Sequence, residues 1–161
     1  MYGRAPKEFG VTPLFKKLNL GDNDTILVLD PPESFKAELS KLVGVTIKHR
    51  ETSKPTSFAI GFATTQAELD QISTRISKAT VGDAIVWVAY PKGTSKRYKW
   101  EFNRDSANWN VLGSAGFEPV RQVAIDKDWS ALRFRKTQHI KSLTRKNSMT
   151  ISAEGKRRTK R

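Results

Sequence analysis

The run AIVWVAY, residues 84–90, constrains this chain more than any other feature. It is an unbroken apolar stretch of β-branched, small and aromatic side chains, too short for a buried helix and without polar alternation. It predicts a strand covered on both faces, and therefore a central one. Such a strand needs helices on both sides of its sheet, which commits the chain to an α/β architecture. The run is also far short of the ~20 apolar residues that span a bilayer. The start MYGRAPKEFG lacks the apolar middle of a signal peptide, so a cytoplasmic protein without a membrane partner is expected.

The flanking segments agree. Thr12 and Pro13 predict a short helix that carries Leu14, Phe15 and Leu18 inward and ends before Gly21. TILVLD (25–30) reads as a buried strand. Asp30 is expected to cap a helix opened by Pro31, with Phe35, Leu39 and Leu42 at helical spacing and Gly44 at its end. VTIKHRE (45–51) alternates as a half-exposed strand, and ETSKPTS (51–57) is a loop by composition. SFAIGFAT (57–64) places Phe58, Ile60 and Phe62 on one face. Ala59, Gly61 and Ala63 on the other leave room for a close helix. Thr65 and Glu68 form a capping box for a helix with Leu69, Ile72, Ile76 and Ala79 inward. Gly82-Asp83 is expected to turn the chain into AIVWVAY. A short helix over about 105–114 should bury Trp109 and Leu112. PVRQVAID (119–126) and SALRFRK (130–136) predict a hairpin. The expected fold is a mostly parallel sheet of about six strands, helices on both faces, and a C-terminal antiparallel hairpin.

With 161 residues there is length for one domain. The expected organisation is an N-terminal arm (1–11), the α/β domain (12–136) and a basic tail (137–161). The chain has no cysteine, which excludes disulfides, thiolate metal sites and cysteine nucleophiles, and only two histidines, His49 and His139, so no metal site is expected. Residues 136–161 hold nine cations and one acid, and so carry +8 of the net charge of +13. This stretch is poor in apolar residues, and disorder is expected for the tail. Lys156, Arg157, Arg158, Lys160 and Arg161 suit sequence-independent phosphate contact, or simply a solvated tail. A second basic segment, PKGTSKRYKWEFNR (91–104), interleaves Lys92, Lys96, Arg97 and Lys99 with Tyr98 and Trp100. Aromatics between cations can stack bases while the cations hold phosphates. The same alternation also describes a strand or packed loop with one face on the core.

The strand and helix order resembles the Rossmann-like core of S-adenosylmethionine-dependent methyltransferases, with one βα unit lost after VTIKHRE. Three segments, ILVLDPPESF (26–35), IVWVAYPK (85–92) and DWSALRFRK (128–136), resemble a family of small bacterial proteins of unknown function. The first resemblance implies a ligand crevice at the carboxyl ends of the strands, where Asp30, Glu33, Thr64, Thr65, Tyr90 and Lys92 would gather. Asp128 and Trp129 fall at that end or the opposite one. Glu51 stands where an acid would meet ribose hydroxyls. The chain departs from methyltransferases after the first strand. Asp30-Pro31-Pro32-Glu33-Ser34 has no glycine, and its prolines offer no N–H. No cofactor is therefore expected, and no catalytic residue is assigned. The sequence is read as a degenerate methyltransferase-like domain that binds nucleic acid or another anion. The alternatives are a nucleotide- or S-adenosylmethionine-dependent enzyme and a module that meets an acidic protein.

Overall fold

The computed structural model describes residues 11–100, 107–140 and 150–159. Helix α1 (Pro13–Lys17) starts as its sequence dictates: the Thr12 hydroxyl accepts the Phe15 N–H at 3.2 Å and Pro13 occupies the first turn. Then follow β1 (Thr25–Leu29), α2 (Glu33–Leu39), β2 (Thr46–Lys48), β3 (Thr56–Phe62), α3 (Gln66–Ala79) and β4 (Thr80–Pro91). The remainder is α4 (Asn110–Ser114), β5 (Phe117–Ala124), β6 (Trp129–Lys136), a 3-10 turn (Thr137–His139) and α5 (Ala153–Thr159). One six-stranded sheet has the order β2-β1-β3-β4-β6-β5. β1 to β4 are parallel, and the β5–β6 hairpin joins β4 through an antiparallel β6. This is the expected α/β fold, with AIVWVAY inside the longest strand, in the middle of the sheet.

Strand alternation divides the core in two. On one face Phe15, Phe35, Phe58, Phe62, Trp87 and Trp129 pack beneath α1 and α2. On the other, Leu27, Val86, Val88, Leu132 and Phe134 meet Leu69, Ile72 and Ile76 of α3 and Leu112 of α4. Gly61 sits under α3: a methyl group added there would lie 3.0 Å from Ile72 Cδ1, so the absent side chain sets how closely the helix approaches.

Residues 49–55 return from β2 to β3 without a helix, although parallel strands ordinarily need a crossover of a dozen residues or more. This return stands where the resemblance to methyltransferases implies a lost βα unit. Two polar contacts tie the shortened return to the sheet and to α3. His49 Nδ1 donates to the Val28 carbonyl at 2.9 Å, and Arg75 holds Glu51 with Nη2 at 2.7 Å.

Several local expectations need correction. β2 has three residues, Thr46–Lys48, and not the seven of VTIKHRE, and it forms one edge of the sheet. Gly82-Asp83 does not break the chain: Gly82 adopts φ 64° within β4, where the register against β3 shifts, and the strand begins at Thr80. The tail is not disordered over 150–159. Fully buried Glu118 accepts the backbone N–H groups of Ile151 and Ser152, at 2.9 and 2.5 Å, and the Ser152 hydroxyl at 2.7 Å. Ser152 caps α5 through the Gly155 N–H, and its hydroxyl also meets that of Thr137. The segment docks through a carboxylate at a helix start and two glycines that allow contact, with Ile151 as its one apolar side chain packed against the core among the described residues. That is why its composition misleads. The arm 1–10, Lys160 and Arg161 lie outside the described residues.

Candidate functional site

The turn after β1 is unusual in its backbone. Asp30 adopts φ 54°, the left-handed region that non-glycine residues seldom occupy. Asp30 is therefore not the helix cap. Pro32 holds the N-cap position of α2 without a side-chain bond, and the Asp30 carboxylate is left exposed at the carboxyl end of β1. An outlier held at a strand end, where fixed neighbours must offset its cost, is a recurrent mark of a ligand site.

Asp30 and Glu33 line a cleft of about 340 Å³ with Pro31, Pro32, Phe62, Ala63, Thr64, Glu68, Tyr98 and Trp129. β6 runs antiparallel to β4, so the hairpin turn falls at this same end and brings Trp129 in. Asp126 fixes that turn. Its Oδ1 accepts the N–H groups of Asp128 and Trp129 at 2.8 and 2.9 Å, and its Oδ2 accepts the Ser34 hydroxyl from α2. The Trp129 ring meets Phe62 edge-on at 5.3 Å and Tyr98 at 4.9 Å. Its Nε1, a buried donor, has no acceptor among the described residues. Thr65 caps α3 by accepting the Glu68 N–H at 3.1 Å. The Glu68 carboxylate reaches back to accept the Thr64 N–H at 2.7 Å and the Thr64 hydroxyl at 2.8 Å, and the Thr64 N–H above all holds its carboxyl below the usual range. Glu33 pairs with Lys36 at 3.1 Å. The cleft thus gathers three carboxylates and three aromatic rings, with no lysine or arginine among the described residues of its lining.

Of the sequence candidates, Asp30, Glu33 and Thr64 come together, and Thr65, Tyr90 and Lys92 do not. Tyr90 is buried toward α4, where its hydroxyl accepts from Gln122 at 2.7 Å. Lys92 lies beyond the end of β4, and its backbone N–H donates to the Asp128 carbonyl. Glu51 lies elsewhere. It lines a larger groove of about 490 Å³, and Arg75 holds its carboxyl below the ordinary range. Sequence reading does not find Phe62, Glu68 or Tyr98 as cleft residues, and for Trp129 it leaves the end of the sheet open. Antiparallel pairing of the hairpin is the available signal for Trp129, whereas nothing local marks Tyr98.

In the basic loop, Tyr98 and Trp100 follow the packed-loop alternative. Tyr98 packs on Trp129, and Trp100 stacks on Tyr90 at 5.5 Å, each against a core cluster. Ser95 latches the loop through Asp128 Oδ1 at 2.8 Å. Lys96, Arg97 and Lys99 stay exposed, with Arg97 5.5 Å from the Tyr98 ring centre. In α5, Arg157 pairs with Glu154, Arg158 Nη1 donates to the Thr137 carbonyl, and Lys156 is exposed.

No protein-family model and no curated protein matches the chain. Solved structures do. The N-methyltransferase NodS of Bradyrhizobium japonicum is 11% identical with a TM-score of 0.47, over 76% of this chain and 92% of that one. A SAM-dependent methyltransferase of Aquifex aeolicus is 13% identical with a TM-score of 0.48, over 81% and 93%. The magnesium protoporphyrin IX methyltransferase of Synechocystis with bound SAM is 14% identical with a TM-score of 0.47, over 77% and 74%. At these identities the likeness concerns the Rossmann-like fold alone. The resemblance to a small bacterial family rests on the three sequence segments.

One expectation is overturned. No cofactor was expected, because the turn after β1 lacks glycine. The similar structures include methyltransferases with SAM or S-adenosylhomocysteine bound. Asp30 itself takes up the left-handed backbone that glycine commonly supplies. Among the described residues no helix is long and apolar enough to cross a membrane.

Proposed function

We propose that the cleft at the carboxyl end of the sheet binds a phosphate-free adenosyl ligand of the S-adenosylmethionine class. One observation carries this reading: Asp30, Glu33 and Glu68 share a cleft with Tyr98 and Trp129, and no cation lines it among the described residues. Carboxylates accept hydrogen bonds from hydroxyl and ammonium groups and stabilise a nearby positive charge. Aromatic rings and the faces of two prolines suit a flat base. The orphaned Trp129 N–H can serve an acceptor on that base. The same three carboxylates repel phosphate, which is notable in a chain of net charge +13. In this cleft Asp30 would hold ligand hydroxyl or ammonium donors, and Trp129 would wall the ring. S-adenosylmethionine would bring an electrophilic methyl group. The Pro31-Pro32 turn lacks the N–H donors of a glycine-rich loop, so the side chains carry most of the recognition.

Calorimetry with S-adenosylmethionine, S-adenosylhomocysteine, adenosine, AMP and ATP tests the reading. The first three should bind, and affinity should fall from adenosine to AMP to ATP. Asp30→Gly keeps the backbone conformation and removes the carboxylate. It should weaken binding at least tenfold, the equivalent of ~1.5–3 kcal/mol for a charge-assisted hydrogen bond, without lowering Tm. ATP binding as tightly as adenosine, or an unchanged affinity in Asp30→Gly, would refute it.

A further inference from the structure

A second site lies on the face of the sheet that carries α1, away from the cleft. Arg121 of β5 and Arg133 of β6 are direct cross-strand partners. Like charges so placed destabilise a sheet. Their guanidinium groups converge on one neutral atom, Asn19 Oδ1, with Arg121 Nη1 at 2.8 Å and Arg133 Nη1 at 3.3 Å. Neither has a carboxylate partner among the described residues. Asp83, whose charge acts on Arg133, is already held by Nε and Nη2 of Arg135 at 2.8 and 2.6 Å. Arg133 is half-buried, and its Nε is a buried donor without an acceptor. Burial pulls Arg133 below the ordinary arginine value, and the neighbouring Arg135 and Arg121 push the same way. Lys17 lies further along β5, its Nζ on the Ala124 carbonyl at 2.8 Å. The strand between residues 121 and 124 covers roughly 10 Å, so the cations form an open row and not an enclosed pocket.

We propose that Arg121 and Arg133 form a phosphate-binding site that holds the backbone of a nucleic acid. Two forked guanidinium groups with an unsatisfied buried N–H are made for an oxyanion. The open row, continued by Lys17, fits successive phosphates of a polymer better than a single small ion. No base platform accompanies it, since the exposed loop's aromatics are packed in the fold, so binding should be independent of sequence. This places the nucleic-acid contact on the sheet face instead of on the basic tail.

Fluorescence anisotropy with labelled single-stranded and duplex DNA of one length, using the full chain over a range of salt, tests this. Arg121→Gln should weaken both about tenfold and make the plot of log K against log salt shallower by roughly 1. Lys78→Gln, an equal charge change at an exposed position on α3, should have less than a twofold effect. Asn19→Asp supplies an internal carboxylate between the two arginines, at a backbone φ of 60° that aspartate tolerates. It should raise Tm while reducing DNA binding. Equal effects of Arg121→Gln and Lys78→Gln, unchanged binding in Asn19→Asp, or no binding at low salt would overturn the proposal. So would Arg121-dependent binding of poly-glutamate without binding of DNA, which would point to an acidic protein.

Discussion

Single side chains settle what composition leaves open at the C-terminus. Glu118 is a charged residue at zero exposure, and its acceptors are spent on Ile151 and Ser152. Gly155 makes the fit possible, since a methyl group there would stand 2.3 Å from Glu118 Oε2. Glu118→Gln replaces an acceptor-only group by one that presents N–H donors to N–H donors. The change should destabilise the docked segment by about 1–3 kcal/mol. Amide hydrogen exchange should report it: Ile151, Ser152 and Gly155 lose protection while the strand centred on Trp87 keeps its own. Unchanged exchange at these three amides would mean that the segment is held by something other than Glu118. The same scale explains the cleft. Asp30 is legible as a residue at a strand end, but its left-handed backbone, which turns it from a cap into an exposed carboxylate, runs against the extended conformation that a following proline favours.

At the scale of elements, the helix α3 and strand β3 show how far pattern carries. The spacing of Leu69, Ile72, Ile76 and Ala79 predicts the buried helix face, and those residues are buried. The small face of β3 predicts close approach, and Gly61 lies against Ile72 Cδ1, Ile72 Cβ and Ile76 Cδ1 at 3.0, 3.1 and 3.3 Å from where a methyl group would stand. Gly61→Ala should therefore overpack this contact, lowering stability by about 1–3 kcal/mol in a urea titration. Adding Ile72→Val should recover part of the loss, because it removes the Ile72 Cδ1 atom that the new methyl group would meet. Destabilisation by Gly61→Ala that Ile72→Val leaves wholly unrelieved would place the strain in the strand and not in the helix contact. The hairpin teaches the converse. Its two strands were legible as alternating segments, but which end of the sheet its turn occupies depends on the direction in which β6 pairs with β4. That direction places Trp129 in the cleft.

Across the whole molecule, acid and base are segregated: an acidic cleft at one end of the sheet, an arginine pair on one face. Stability should reflect the surviving ion pairs. Arg75 holds Glu51, and Arg135 holds Asp83, with each carboxyl below its ordinary range because of the arginine hydrogen bond; Glu68 is lowered by the Thr64 N–H. A depressed folded-state value gives stability that is present above the unfolded values, about 3.9 for Asp and 4.3 for Glu. That stability is lost as pH falls through the lower folded values. These pairs are partly exposed, so each contributes no more than about 1 kcal/mol after solvent screening. Tm should hold between pH 7 and about 5 and decline below about 4, by roughly 2–4 °C per kcal/mol. Loss of carboxylate charge also raises self-repulsion in so basic a chain. Comparison with Arg75→Gln isolates the Glu51 term: the variant should start lower at pH 7 and fall less on acidification. Parallel curves for the two proteins would remove the pair from the account.

By itself the sequence determined the layers. Periodicity and turn residues act over a few neighbours, so the strands, the α1 and α3 caps and the central position of AIVWVAY could be read from local chemistry. Only the tertiary structure decided which polar groups share a site. Glu51 went to Arg75, Lys92 stayed out of the cleft, Tyr98 and Trp100 turned inward, and Arg121 met Arg133 on Asn19. Each of those contacts joins residues well apart in the chain through strand direction and register. A hydrogen bond or an ion pair, unlike a buried face, leaves no period in the sequence to read.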